Sequence, residues 1–146
     1  MAVKSIPDGY SAVTPYLILK DVDKMLVFVK AAFGATVVGA HRDGQGQVRH
    51  ADVTIGGAHI MMGGATGQWS EKLGSIHLYV PDADAAYGAA IKAGAKSLYE
   101  VTTHFYGDRS GGVEDPCGVT WWIVTHVEDV SAEEIDRRMK SMGQPA

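Results

Sequence analysis

The chain has 146 residues, of which 46% are hydrophobic and 21% charged, with a formal net charge of -4 from 13 basic and 17 acidic residues. This is ordinary composition for one globular domain, and the lone Cys117 excludes a disulfide scaffold. No basic surplus is present to neutralise a phosphate backbone, and no apolar run reaches the roughly 20 residues that span a bilayer, so neither nucleic acid nor membrane is an expected partner. The first residues carry no apolar leader-like run, and together with the single cysteine this suits a cytoplasmic protein.

Ser11 to Leu19 is read as a strand, with Val13, Leu17 and Leu19 on one face and Ala12, Thr14, Tyr16 and Ile18 on the other. Asp21 can cap a helix whose Val22, Leu26, Val29 and Phe33 recur at helical spacing, and Gly34 suits the left-handed residue that ends it. Thr36 to Arg42 and Gln47 to Ile55 are strands around the turn Asp43-Gly44-Gln45-Gly46, and Ala58 to Met62 is a fourth. Gly63 to Gly74 is a polar, glycine-rich loop that carries Trp69 and is the expected mobile segment. It lacks the Lys-Ser/Thr ending of a phosphate loop.

The second half repeats this order. Ser75 to Val80 is a strand, Asp82 caps a helix to Ala93, and Ser97 to Thr103 is a strand. The polar segment Gly107 to Cys117 leaves room for a short strand, and Val119 to His126 is the last one. A closing helix, Ala132 to Met142, has Ser131 as N-cap with Glu134 three residues on, and Glu133–Arg137 and Glu134–Arg138 at i,i+4 spacing on a solvated face. Leu17 and Leu78, Asp21 and Asp82, Asp23 and Asp84, and Gly57 and Gly118 are each 61 residues apart. Such an internal repeat predicts an α+β fold of two tandem βαβββ modules, residues 11–63 and 75–128, plus the closing helix. Each module has one helix for one sheet face, so the two curved sheets are expected to enclose a shared cavity.

The chain resembles the vicinal oxygen chelate superfamily, which includes glyoxalase I, bleomycin-resistance proteins and extradiol dioxygenases. The resemblance rests on Val13-Thr-Pro-Tyr-Leu-Ile-Leu-Lys-Asp21, Ala32-Phe-Gly-Ala35, Ile76-His-Leu-Tyr-Val80 and Ala93-Gly-Ala95. Above all it rests on Phe105-Tyr-Gly-Asp-Arg109, Glu114-Asp-Pro-Cys-Gly118 and Thr125-His-Val-Glu-Asp-Val130. That last set is similar to a small bacterial glyoxalase-like subgroup named after a phosphonate-operon protein. The resemblance implies metal-ligand positions at Thr14, Met61, Ser75 and Trp122, where none of the four residues offers an imidazole or carboxylate. No cofactor is therefore expected, with a divalent metal held by His50, Asp52, His59 and His77 as the alternative. The resemblance also implies a homodimer, in keeping with the large apolar residues Trp121, Trp122, Met139 and Met142.

From the positions Thr14, Met61, Ser75 and Trp122 that the resemblance places in the cavity, strand alternation adds Tyr16, His59, His77 and Tyr79 to the ligand-facing set. His50 and Asp52 share the face opposite Ala51, Val53 and Ile55, and Tyr106 and Arg109 come from the Tyr106-Gly107-Asp108-Arg109 cluster. Trp121 takes the opposite face from Trp122. Such a set suits a planar organic ligand held by stacking and a few hydrogen bonds. Each residue has a plainer reading: His77 as packing, His50 and Asp52 as a polar pair, His59 as a strand end, His41 as surface. Asp108 and Arg109 could form a pair that pins the turn. Cys117 has no basic neighbour in sequence to make it a thiolate. Three functions compete: a metal-free binding protein for a small organic molecule, a glyoxalase-like lyase, isomerase or dioxygenase, and an assembly subunit with a vestigial pocket.

Overall fold

A computed structural model describes residues 2–143. The first module contains β1 (Tyr16–Leu19), α1 (Val22–Phe33), β2 (Thr36–Arg42), β3 (Val48–Ile55) and β4 (Ala58–Gly64). The second contains β5 (Ser75–Tyr79), α2 (Ala83–Lys92), β6 (Lys96–Thr103), β7 (Asp108–Glu114) and β8 (Thr120–His126), and α3 (Ala132–Ser141) follows. The strand orders are β1-β4-β3-β2 and β5-β8-β7-β6. In each sheet the first strand runs parallel to the last and all other neighbours are antiparallel. Tyr16 lies opposite Met61 in one sheet and His77 opposite Trp122 in the other, so the 61-residue repeat is preserved in register.

Asp21 accepts from the Lys24 amide at 3.0 Å and starts α1. Gly34, at φ 64°, ends it in the left-handed conformation that a side chain would resist. Between them Val22, Met25, Leu26, Phe28, Val29 and Ala32 are buried. Asp82 starts α2 in the same way, through the Ala85 amide at 3.1 Å. Only Ala83 and Ala90 of α2 are buried, and these small side chains let α1 and α2 pack against each other. A single core results. It takes Leu19, Val53 and Met62 from the first sheet and Val113, Trp121 and Ile123 from the second. The Trp121 ring lies 4.7 Å from Phe33 and 6.4 Å from Phe28, so the α1 aromatics pack on the second sheet.

The chain departs from its sequence pattern in four places. β1 begins at Tyr16, because Pro15 has no N–H to give a ladder. Thr14 therefore precedes the strand. The Gly63 to Gly74 loop, expected to be mobile, is tied to the sheet edge: Ile18 and Lys72 exchange backbone hydrogen bonds of 3.0 and 2.9 Å. Gly107 to Cys117 contains a full seven-residue strand, β7, in the interior of the second sheet. Its Gly111 and Gly112 obscure the strand in sequence, yet a Cβ there would sit 2.7 Å from the Tyr87 ring and 2.6 Å from the Tyr99 ring. On α3, Glu134 pairs with both Arg137 and Arg138. Arg138 also donates to the Phe105 carbonyl at 2.7 Å and so docks the helix.

Candidate functional site

With the helices on one side, each sheet presents its other face as a polar and aromatic surface. On the first sheet Asp52 is buried, and His59 Nδ1 lies 2.9 Å from its carboxylate. Tyr10, from the segment before β1, donates its hydroxyl to the same carboxylate and stacks on His59 at 3.7 Å. Burial pushes the Asp52 carboxyl upward, but the hydrogen bonds from Tyr10 and His59 outweigh it, and the pKa lies below the ordinary value. The hydrogen bond to Asp52 holds the Tyr10 phenol above its ordinary value. Tyr16 sits 5.8 Å from His50, and His41, exposed as expected, sits 6.1 Å from His50.

The second sheet carries an aromatic platform. His77 and Tyr79 meet edge to face at 4.9 Å, and Tyr99 stacks on Trp122 at 6.1 Å. Ser110 Oγ lies 2.9 Å from both the Tyr99 hydroxyl and His104 Nε2. Tyr106 stacks on His104 at 5.1 Å, and its phenol is raised by burial and by the nearby Tyr99 and Asp108. Trp121 is fully buried while Trp122 is half-buried on the opposite face, as alternation requires.

Cavities adjoin these faces, and another lies apart from them at Cys117. One of about 210 Å³ lies at the seam between modules and is lined by Thr14 and His59 from the first and His77 from the second. One of about 520 Å³ adjoins the first sheet and is lined by Tyr16, Arg49 and Trp69 among others. A third, about 390 Å³, surrounds Cys117 with Lys20, Lys24, Asp21 and Glu71. Burial and the neighbouring Asp115 push the Cys117 thiol up to about 11, which keeps it protonated.

Most of the expected ligand-facing residues gather on these faces. Tyr16, His50, Asp52, His59 and Met61 belong to the first sheet, and His77, Tyr79 and Trp122 to the second. Thr14 reaches the seam cavity, and Ser75 is exposed at the start of β5. Arg109 is a correction. Its side chain lies toward α2, where Nε and Nη2 form a fork with Asp84 at 2.8 and 2.9 Å, and Nη1 donates to Thr103. The sheet–helix contact thus occupies the guanidinium that sequence placed against a ligand. The expected Asp108–Arg109 pin of a turn is a correction as well: the segment is strand β7, and Asp108 meets His126 Nδ1 at 2.9 Å across the β7–β8 pair. Tyr10, Tyr99, His104, Ser110 and Arg49 were not anticipated. A bulge between Tyr99 and Thr102 hides the facing of Tyr99, and Tyr10 precedes any periodic segment.

The residues do not fit the metal that the resemblance implies. Thr14, Met61, Ser75 and Trp122 supply at most two hydroxyls and a thioether. Among the described residues no three His, Cys, Asp or Glu side chains cluster to hold an ion, so His50, Asp52, His59 and His77 are not gathered as a donor set.

A family model described as "Glyoxalase/Bleomycin resistance protein/Dioxygenase superfamily" matches residues 12–123. The chain belongs to this superfamily. An uncharacterized protein of Mycobacterium bovis is 32% identical over 143 residues, covering 90% of this chain and 94% of its own. Among solved structures, TioX from Micromonospora sp. ML1 shares the fold with a TM-score of 0.68 at 22% identity, covering 80% of this chain and 99% of its own. A gene product of Arabidopsis thaliana has a TM-score of 0.61 at 26% identity, covering 82% and 99%. The glyoxalase-superfamily fold therefore accounts for the two repeated modules. The superfamily's members differ in chemistry, so the activity has to be argued from these faces.

Proposed function

We infer that this glyoxalase-superfamily protein binds a small organic molecule on the aromatic-lined faces of its sheets, without the divalent metal of metal-dependent members. The carrying observation is Trp122, which stacks with Tyr99 where an ionic ligand would be needed, so an apolar wall replaces a charged cage. His77, Tyr79 and Tyr106 extend that wall. The set from Phe105 to Val130 supports placement in the phosphonate-operon-like subgroup. Among the described residues no helix is long and apolar enough to cross a membrane, and the free thiol of Cys117 suits a reducing cytoplasm.

The same reading includes a homodimer. Tyr16 and Tyr79 are 50% and 62% exposed, more than large apolar groups beside a ligand would leave in water, and a second copy would cover both faces. Elemental analysis of untagged protein and a thermal-shift screen of small organic molecules test the reading together. The expected result is a substoichiometric metal content and at least one stabilising compound, since a ligand at 100 times its dissociation constant adds about 2.7 kcal/mol. Stoichiometric zinc, nickel, iron or manganese held by these side chains overturns it. A scattering mass of one chain, 15.5 kDa, overturns the dimer.

A second reading, a lyase or isomerase working by proton transfer, is favoured by one observation. Asp52 holds His59 Nδ1, and His59 lines the seam cavity, the arrangement of an oriented base. Turnover that His59→Gln abolishes while ligand affinity persists would establish it.

A further inference from the structure

Among the described residues, Arg49 is the one arginine without a carboxylate partner. Arg42 pairs with Asp23, Arg109 with Asp84, Arg137 with Glu134, and Arg138 with Glu128 and Glu134. In a chain with 17 acidic residues against 13 basic ones, an arginine left without a carboxylate stands out. The Arg49 side chain is half-buried, and its Nη2 donates to the carbonyls of Gly64 and Ala65 at 3.1 and 3.2 Å. Its Nε and Nη1 have no hydrogen-bond partner among the described residues. No fully buried side-chain polar atom there lacks a partner either, so these two donors are open to solvent.

The same side chain lines the cavity of about 520 Å³, together with Tyr16, Ile18, Thr66 and Trp69. Two glycines form its cradle. A Cβ on Gly64 would sit 2.7 Å from Arg49 Cζ, and one on Gly63 would sit 2.7 Å from the Tyr16 hydroxyl. Their absence lets the guanidinium and the phenol lie against the end of β4. The cavity thus combines one unpaired planar cation, two aromatic rings and an aliphatic side chain.

We propose that this cavity takes an aromatic carboxylate, with its acid group on the free edge of Arg49 and its ring against Tyr16 and Trp69. The assignment rests on the small-molecule reading above and supplies the ligand class. A guanidinium fork matches a planar carboxylate, and its hydrogen bonds to an anion are roughly twice as strong as neutral ones. A phosphate dianion is disfavoured, because among the described residues no second cation lines the cavity and the chain as a whole is negative. Tyr16 and Trp69 supply stacking surface that a small aliphatic acid would not use.

The test is calorimetric titration of the full chain with 1-naphthoate and with the uncharged 1-naphthalenemethanol. Wild type is expected to bind the acid more tightly than the alcohol. Arg49→Gln should weaken the acid by about tenfold or more, the scale of one charge-assisted contact, and leave the alcohol unchanged. Arg49→Lys should fall between. Trp69→Ala, on an exposed loop, should weaken both compounds, and Gly64→Ala, which moves the guanidinium, should act like Arg49→Gln. These last two variants decide the matter if Arg49→Gln does not fold. Equal affinity for acid and alcohol in wild type, no binding of the acid, or an acid affinity indifferent to Arg49 overturns the proposal. A loss of dimer in Arg49→Gln with unchanged acid affinity also overturns it, by assigning Arg49 to a subunit contact. If Trp122→Ala abolishes acid binding and Arg49→Gln does not, this inference falls and the wider small-molecule reading stands. Stoichiometric metal would end the metal-free reading and leave the Arg49 dependence intact.

Discussion

The ring of Tyr10 stacks on His59 at 3.7 Å, with 19° between the planes, while its hydroxyl donates to Asp52. One residue from the segment before β1 therefore touches both members of the histidine–carboxylate pair on the first sheet. The contact spans 42 positions from Tyr10 to Asp52 and anchors this segment on the polar face.

Removing that hydroxyl has a signed consequence. The Asp52 carboxyl is held below the ordinary carboxylate value near 3.9, so the stability it contributes is complete above that value and is lost as pH falls through the folded one. Tyr10→Phe removes one of the donors that lower it. The variant should melt below wild type near neutrality, and the two curves should converge as pH falls through the lowered folded value. Melting temperature against pH reads this directly, and a constant gap at all pH values would contradict it.

The adjacent tryptophans should behave differently. Trp121 is fully buried, packs on Phe33 and donates its indole N–H to the Asp115 carboxylate at 2.7 Å. Trp121→Ala should cost about 3–5 kcal/mol of folding stability in urea titrations. Trp122→Ala, on the half-buried platform, should cost less stability and more affinity for whatever compound the thermal-shift screen returns. Equal losses of stability would show that both residues are core.

Asp115 is a buried carboxylate whose pKa burial raises, although Trp121, Cys117 and Val119 all donate to it. Asp115→Ala would leave the buried Trp121 and Val119 N–H groups without their acceptor. A loss of about 1–3 kcal/mol for each such donor is expected, so this variant should be among the most destabilised. Equilibrium urea unfolding measures it.

His126 supplies a pH dependence of the opposite sign. Hydrogen bonds to Asp108 and Asp129 raise its imidazole above the ordinary value near 6.5. Its stabilisation is complete below that value and is lost as pH rises through the raised one. His126→Gln should therefore trail wild type most in mildly acidic solution, and the gap should close on the alkaline side. Paired melting curves at several pH values check the sign.

The repeat, the three helix N-caps, the order of elements and the split between Trp121 and Trp122 were all legible in the sequence. These features depend on contacts within a few residues or on strand alternation, and local chemistry reports both. Alternation also brought Tyr16, Asp52, His59, His77, Tyr79 and Trp122 to the polar faces, because a strand's period is two wherever no bulge intervenes.

Tertiary structure alone decided the rest. Arg109 turns toward α2 because Asp84, 25 positions earlier, offers it a two-point contact. Tyr99 faces the platform because a bulge shifts its register, and β7 exists because aromatic rings from α2 and β6 fill the space that Gly111 and Gly112 leave. Among the described residues, Arg49 is left without a carboxylate because Asp23, Asp84, Glu128 and Glu134 pair with the other arginines. Sequence spacing determines which face a residue takes on a regular strand. Its partner depends on what the rest of the chain brings within about 3 Å, the reach of a hydrogen bond.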